Sequence, residues 1–94
     1  MKEEFSVGDI VKSKAGRDVG INFLVVKVDN ERVFVVNGRD RKVQNPKSKN
    51  KKHLEKVSTA SEKALAERIL GNKATGNERV YRAIKAKTQK IQED

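Results

Sequence analysis

The chain has 94 residues, with 22 Lys and Arg against 13 Asp and Glu, a formal net charge of +9, no Cys and a single His. That composition excludes a disulfide framework, a thiolate zinc site, a cysteine nucleophile and a histidine-rich metal centre. No apolar run approaches the ~20 residues of a membrane-spanning helix. The opening Met1-Lys2-Glu3-Glu4-Phe5 lacks a secretory signal's apolar region, so the cytoplasm is the expected compartment.

Leu, Ile, Val and Phe make up 24 of the 94 residues, and 18 of these fall in residues 1–57. Half of the 24 are Val, which favours strands. The expected organisation is a mainly β domain over 1–58 followed by an α-helical tail over 59–94. In chain order, Gly8-Asp9 breaks the chain and Ile10 to Lys14 reads as a strand. Residues 15–20 form a loop between two glycines. Ile21 to Val28 is a strand with Leu24, Val26 and Val28 on one face and Phe23 and Val25 on the other. Asp29-Asn30-Glu31 is a short turn, and residues 33–36 form another strand that is apolar on both faces. Strands of this kind need cover on both sides, which a small barrel meets with its interior on one side and the tail on the other. Asn37-Gly38 is a two-residue hairpin signal, with the next strand expected from Asp40 through Val43. Residues 44–53 read as a polar loop, and residues 53–57 as a closing strand on which His53 and Glu55 share a face.

In the tail, Thr59 and Glu62 match a capping box. Ala64, Leu65, Ile69 and Leu70 follow at helical spacing, with Gly71 as the stop and packing on the barrel as the expected role. A second helix starts at Asn77-Glu78, with Val80, Ile84 and Ile91 as a narrow apolar stripe and Tyr81 beside it. So thin a stripe implies weak docking or ordering by a partner.

The charge is uneven. Residues 39–56 hold eight basic residues and two acidic ones. The ordinary reading of such a run is a solvated, solubilising surface. Against it, like charges held together on a folded scaffold repel one another, and a polyanion relieves the repulsion. Phosphate backbone is the expected partner, with steeply salt-dependent binding. The chain has only three Phe and one Tyr, which disfavours a stacking platform for single-stranded bases. No helix-turn-helix or zinc pattern points to duplex DNA. Contact through phosphates and shape remains, which suits structured RNA and leaves DNA open as the alternative.

Residues 7–14, Gly16-Arg17-Asp18-Val19-Gly20, the strand to Val28 and Val33-Phe34-Val35-Val36-Asn37-Gly38 together resemble a KOW motif, with Gly20 in the place of the key glycine. Arg39-Asp40-Arg41-Lys42-Val43, Asn50 and His53-Leu54-Glu55 extend the resemblance. They are similar to the archaeal and eukaryotic large-subunit ribosomal protein family that has an N-terminal KOW barrel and a basic His-Leu-Glu segment. The resemblance covers roughly residues 5–57. The Lys-rich loop after Pro46 is longer than that pattern, and the tail from Ser58 has no counterpart in it.

The resemblance implies a small SH3-like barrel followed by one or two helices, and contact with rRNA. The expected site is Arg17 with a basic arm over 39–53. Arg39, Arg41 and Lys42 follow the hairpin turn, while Lys47, Lys49, Lys51 and Lys52 form an arm that orders on RNA. Lys12 and Lys14 extend the surface, with an ordinary solvent face as the alternative. For Arg17 the alternative is an exposed loop charge, or a local pair with Asp18 that is worth little. His53 packs or stacks on RNA, since no nucleophile accompanies it. The expected function is non-catalytic RNA binding within or near the large ribosomal subunit, with large-subunit proteins as further partners. No cofactor, metal, membrane or small-molecule substrate is expected. The alternative is a protein-interaction adaptor in a translation or transcription assembly.

Overall fold

Five antiparallel strands precede two helices in the computed structural model, which describes residues 4–57, 61–71 and 76–88. The strands are β1 (Ile10–Ser13), β2 (Asn22–Asp29), β3 (Arg32–Val36), β4 (Lys47–Asn50) and β5 (Leu54–Lys56). The helices are α1 (Lys63–Leu70) and α2 (Asn77–Thr88). The sheet order is β4-β3-β2-β1-β5, so the chain passes from one sheet edge to the other between β4 and β5. That passage is a single 3-10 turn, Lys51–His53. Four extended residues reach at most about 14 Å, whereas the outer strands of a flat five-stranded sheet stand about 19 Å apart. The sheet is therefore curled until its edges approach.

The curl gives the sheet two apolar faces. Inside lie Phe5, Val11, Phe23, Val25, Val33, Val35 and Leu54. Outside, Ile10, Leu24, Val26 and Val36 pack with Leu65 and Ala66 of α1 and with Val80 and Ile84 of α2. The doubly apolar strands are covered as their sequence required, by the interior on one side and the tail on the other. Of the α2 stripe, Val80 and Ile84 are buried against the sheet.

Several local expectations are corrected. The β2–β3 register slips between Val25 and Lys27. This bulge inserts Val26 as the extra residue, so Val28 turns to the inner cluster instead of following Leu24 and Val26 outward. Asn37-Gly38 is not a two-residue hairpin, and residues 37–46 form a loop between β3 and β4. The Asn37 side chain organises this loop, its Oδ1 accepting from the amides of Arg39 (3.0 Å) and Arg41 (2.9 Å). The strand expected at Asp40–Val43 is displaced to Lys47–Asn50, within a stretch whose polarity suggested a loop. His53 belongs to the 3-10 turn and not to the closing strand.

In the tail, Glu62 is itself the residue preceding the first turn of α1, and its side chain makes no capping bond. It pairs with Lys87 of α2 at 3.3 Å instead. Thr59, its expected capping partner, and Ile91 lie outside the described residues. The buried face of α1 is Leu65 and Ala66 with Ile69 beside them, while Ala64 and Leu70 are exposed. Gly71 ends α1 as expected, its amide donating to the Glu67 carbonyl at 2.9 Å.

Candidate nucleic-acid interface

The loop over residues 15–20 is organised around one carboxylate. Asp18 is buried, and its Oδ1 accepts from Ser13 Oγ (2.7 Å) and Lys49 Nζ (2.9 Å) while its Oδ2 accepts from Lys47 Nζ (3.1 Å). Lys49 Nζ also donates to Ser13 Oγ (3.0 Å) and to the Ala15 carbonyl (3.3 Å). Strand register explains the convergence. Lys47 and Lys49 pair with Val35 and Val33, so all four side chains point inward. Inward charges on an edge strand such as β4 also discourage sheet-to-sheet aggregation. Burial alone would raise the Asp18 pKa. The hydrogen bonds from Lys49, Ser13 and Lys47 outweigh it and hold the carboxyl well below the usual range.

This cluster corrects two of the expected contacts. The Lys49 side chain is only 7% exposed and its charge is neutralised, so it belongs to the interior and not to an arm that orders on RNA. Lys47 is likewise committed to Asp18. Asp18 in turn is taken by β4 and not by Arg17, which stays exposed at the surface of the loop.

The second loop, residues 37–46, is held by the start of α2. Asn77 Oδ1 accepts from the Val43 amide (2.8 Å), and Asn77 Nδ2 donates to Gln44 Oε1 (3.2 Å). The Arg39 guanidinium lies over the Tyr81 ring, 3.8 Å from its centre, and 3.5 Å from Glu78. Gly38 sits at φ +81°, and a Cβ there would run into the Asn77 carbonyl. Helix and loop therefore depend on a residue without a side chain. Arg39 is accordingly a clamp residue whose guanidinium is already stacked and paired.

Among the described residues, Lys14, Arg17, Lys42, Lys52 and His53 are exposed and Lys12, Arg41 and Lys51 half-buried, and none of these eight has an ion-pair partner. Several are brought together by the fold. Lys14 donates its amide to the His53 carbonyl at 2.8 Å, which joins β1 to the 3-10 turn carrying Lys51 and Lys52. The Asp18–Lys47 pair joins the Arg17 loop to the end of the loop that carries Arg41 and Lys42. Lys12 faces Glu55 across the β1–β5 pairing, which weakens its field. Gly20 sits at φ +87°, with open space where a Cβ would be. Its need for glycine is conformational, not steric.

Sequence reasoning missed Arg79, an exposed cation in the first turn of α2 with no partner among the described residues. Its signal was weak, because one Arg in a charge-mixed helix looks ordinary. No cluster of three or more His, Asp or Glu able to hold a metal occurs among the described residues, and no helix there is long and apolar enough to cross a membrane. No protein-family model matches the chain, and no curated protein matches it.

Proposed function

We propose that the protein is a non-catalytic RNA-binding module with an SH3-like, KOW-type barrel. Its target is structured RNA, foremost the rRNA of the large ribosomal subunit, bound in the cytoplasm. The supporting observation is the sorting of its cations. Asp18 pairs with both Lys47 and Lys49, and among the described residues Lys14, Arg17, Arg41, Lys42, Lys51 and Lys52 have no ion-pair partner and lie on connected, internally braced segments. Braced cations lose less side-chain and loop entropy when they meet a phosphate backbone than a floppy arm would. Arg17 and Arg41 are the residues suited to bidentate phosphate contact, and the lysines act as point charges.

The curled five-stranded sheet and the position of Gly20 agree with the KOW resemblance. The adaptor reading draws less support, because among the described helix residues Leu65, Val80 and Ile84 are buried against the sheet, which leaves Leu70 exposed. The ribosomal part of the proposal is tested by gradient sedimentation of lysate at low and high salt. Co-migration with the large subunit at both salts supports a resident component, and co-migration at low salt alone supports a transient factor. Migration free of ribosomal particles and RNA at both salts contradicts the proposal and favours the adaptor.

A further inference from the structure

Residues 77–88 carry four Lys and Arg and a single acid, Glu78. Positions 78, 82 and 85 fall on one side of a helix, at i, i+4 and i+7. Arg39 meets that side from the loop over residues 37–46. The Glu78 carboxylate thus lies between two guanidiniums from different elements. Its Oε1 is 3.5 Å from Arg39 Nη2, and its Oε2 is 3.2 Å from Arg82 Nε. Among the described residues Glu78 is the only ion-pair partner of either arginine. Lys85 has none there, and its ammonium stands 5.8 Å from the centre of the Tyr81 ring. A second acid, Asp40, lines the cleft beside Tyr81 and Lys85 and gives one oxygen to Asn37 Nδ2 at 3.0 Å. Counting Asp40, the group of Arg39, Arg82 and Lys85 still keeps a positive surplus.

An acid in the first turn suits the helix dipole. That explains Glu78, but not the convergence on it of an arginine from another element. The Arg39, Glu78 and Arg82 side chains are all more than half exposed, so water screens both pairs and each is weakly held. The same position is open to an anion from outside. A phosphodiester presents two anionic oxygens on one atom, as a carboxylate does, and both match the guanidinium fork. Arg39 is already oriented by its stack on Tyr81, 3.8 Å from the ring centre, so exchanging one anion for another orders little that is free. Arg41 and Lys42 follow Arg39 in the same loop, which makes this position continuous with the surface assigned to the barrel. We propose that Arg39 and Arg82, with Lys85 beside them, form a phosphate site on the tail helix, held by the Glu78 carboxylate until an RNA phosphodiester displaces it. This inference rests on the RNA-binding reading above and extends that surface from the barrel onto α2.

The test measures binding of a structured RNA hairpin to the full chain by fluorescence anisotropy. Glu78→Gln is expected to bind about fivefold more tightly, because the RNA no longer has two exposed ion pairs to displace. Glu67→Gln removes the same charge from α1, where Glu67 pairs with Lys63 at 4.0 Å, and should change the affinity less than about twofold. In a chain that already carries Arg39→Gln and Arg82→Gln, Glu78→Gln should add no more than Glu67→Gln does. Arg82→Gln alone, an exposed change that does not depend on how Glu78→Gln folds, should weaken wild-type binding about threefold. Equal gains from Glu78→Gln and Glu67→Gln, a gain that survives without the two arginines, or an Arg82→Gln affinity equal to wild type overturns the proposal while leaving RNA binding by the barrel intact. If no variant binds the hairpin, the RNA-binding reading fails. Pyrophosphate titrated into Glu78→Gln, followed by NMR at the Arg82 Nε–H resonance, then decides the site. A saturable shift assigns it to a small phosphate compound, and no shift overturns it.

Discussion

Asp18 shows how one residue separates structural charge from available charge. Its neighbours Lys47 and Lys49 lie in the most basic stretch of the chain, yet both pair with it, Lys49 buried and Lys47 half-buried. Asp18→Asn leaves the Lys49 ammonium buried beside a neutral amide, and a loss of about 3 kcal/mol in chemical denaturation is expected. The pH dependence has a definite sign. The folded-state pKa of Asp18 lies below the unfolded value of about 3.9, so its contribution is fully present above that value and is lost as pH falls below it. The melting temperature of the wild type should therefore fall more steeply than that of Asp18→Asn as pH is lowered from about 5 toward about 2. Parallel curves would show that Asp18 is not held ionised. Lys49→Met, by contrast, should leave the salt dependence of RNA binding unchanged, since that charge faces Asp18 and not solvent.

At the scale of elements, glycines separate two kinds of constraint. Gly20→Ala meets only the left-handed backbone penalty of about 1–2 kcal/mol, whereas Gly38→Ala adds a collision with the Asn77 carbonyl. Gly38→Ala should be the more destabilising in thermal melts, and it should loosen the α2 clamp on Arg39 and Val43. Equal effects would mean that α2 does not press on the loop. The same elements mark what the sequence made legible. The turn at residues 29–31, the two-faced apolar strands and the stop at Gly71 follow from local chemistry, and the structure has all three. The β4 strand did not, because Lys47-Ser48-Lys49-Asn50 has no apolar residue, and only the distant Asp18 makes two inward lysines tolerable. Val28 was assigned to the wrong face because a bulge is a property of pairing, not of either strand's own pattern. The cationic residues were legible as a set, but their division into paired and unpaired required the register of β4 against β3.

At the scale of the whole molecule, sheet and helices share one apolar cluster. A fragment ending at residue 58 would expose Ile10, Leu24, Val26 and Val36, and it is expected to aggregate or to show poorly dispersed NMR spectra. Leu65→Ala should cost about 2–5 kcal/mol in the intact chain. Truncation is therefore a poor way to separate RNA binding from a role of the tail, and point substitutions on the surface serve better. The central claim is that braced, unpaired cations meet RNA phosphates, and its most direct test is the salt dependence of binding to a structured RNA. For the wild type, the logarithm of the affinity should fall linearly with the logarithm of salt concentration. Replacing Arg17, Arg41 and Lys42 together by Gln should reduce that slope by roughly 3, about one for each phosphate no longer neutralised by the protein. A slope and affinity unchanged by the triple substitution would contradict the account.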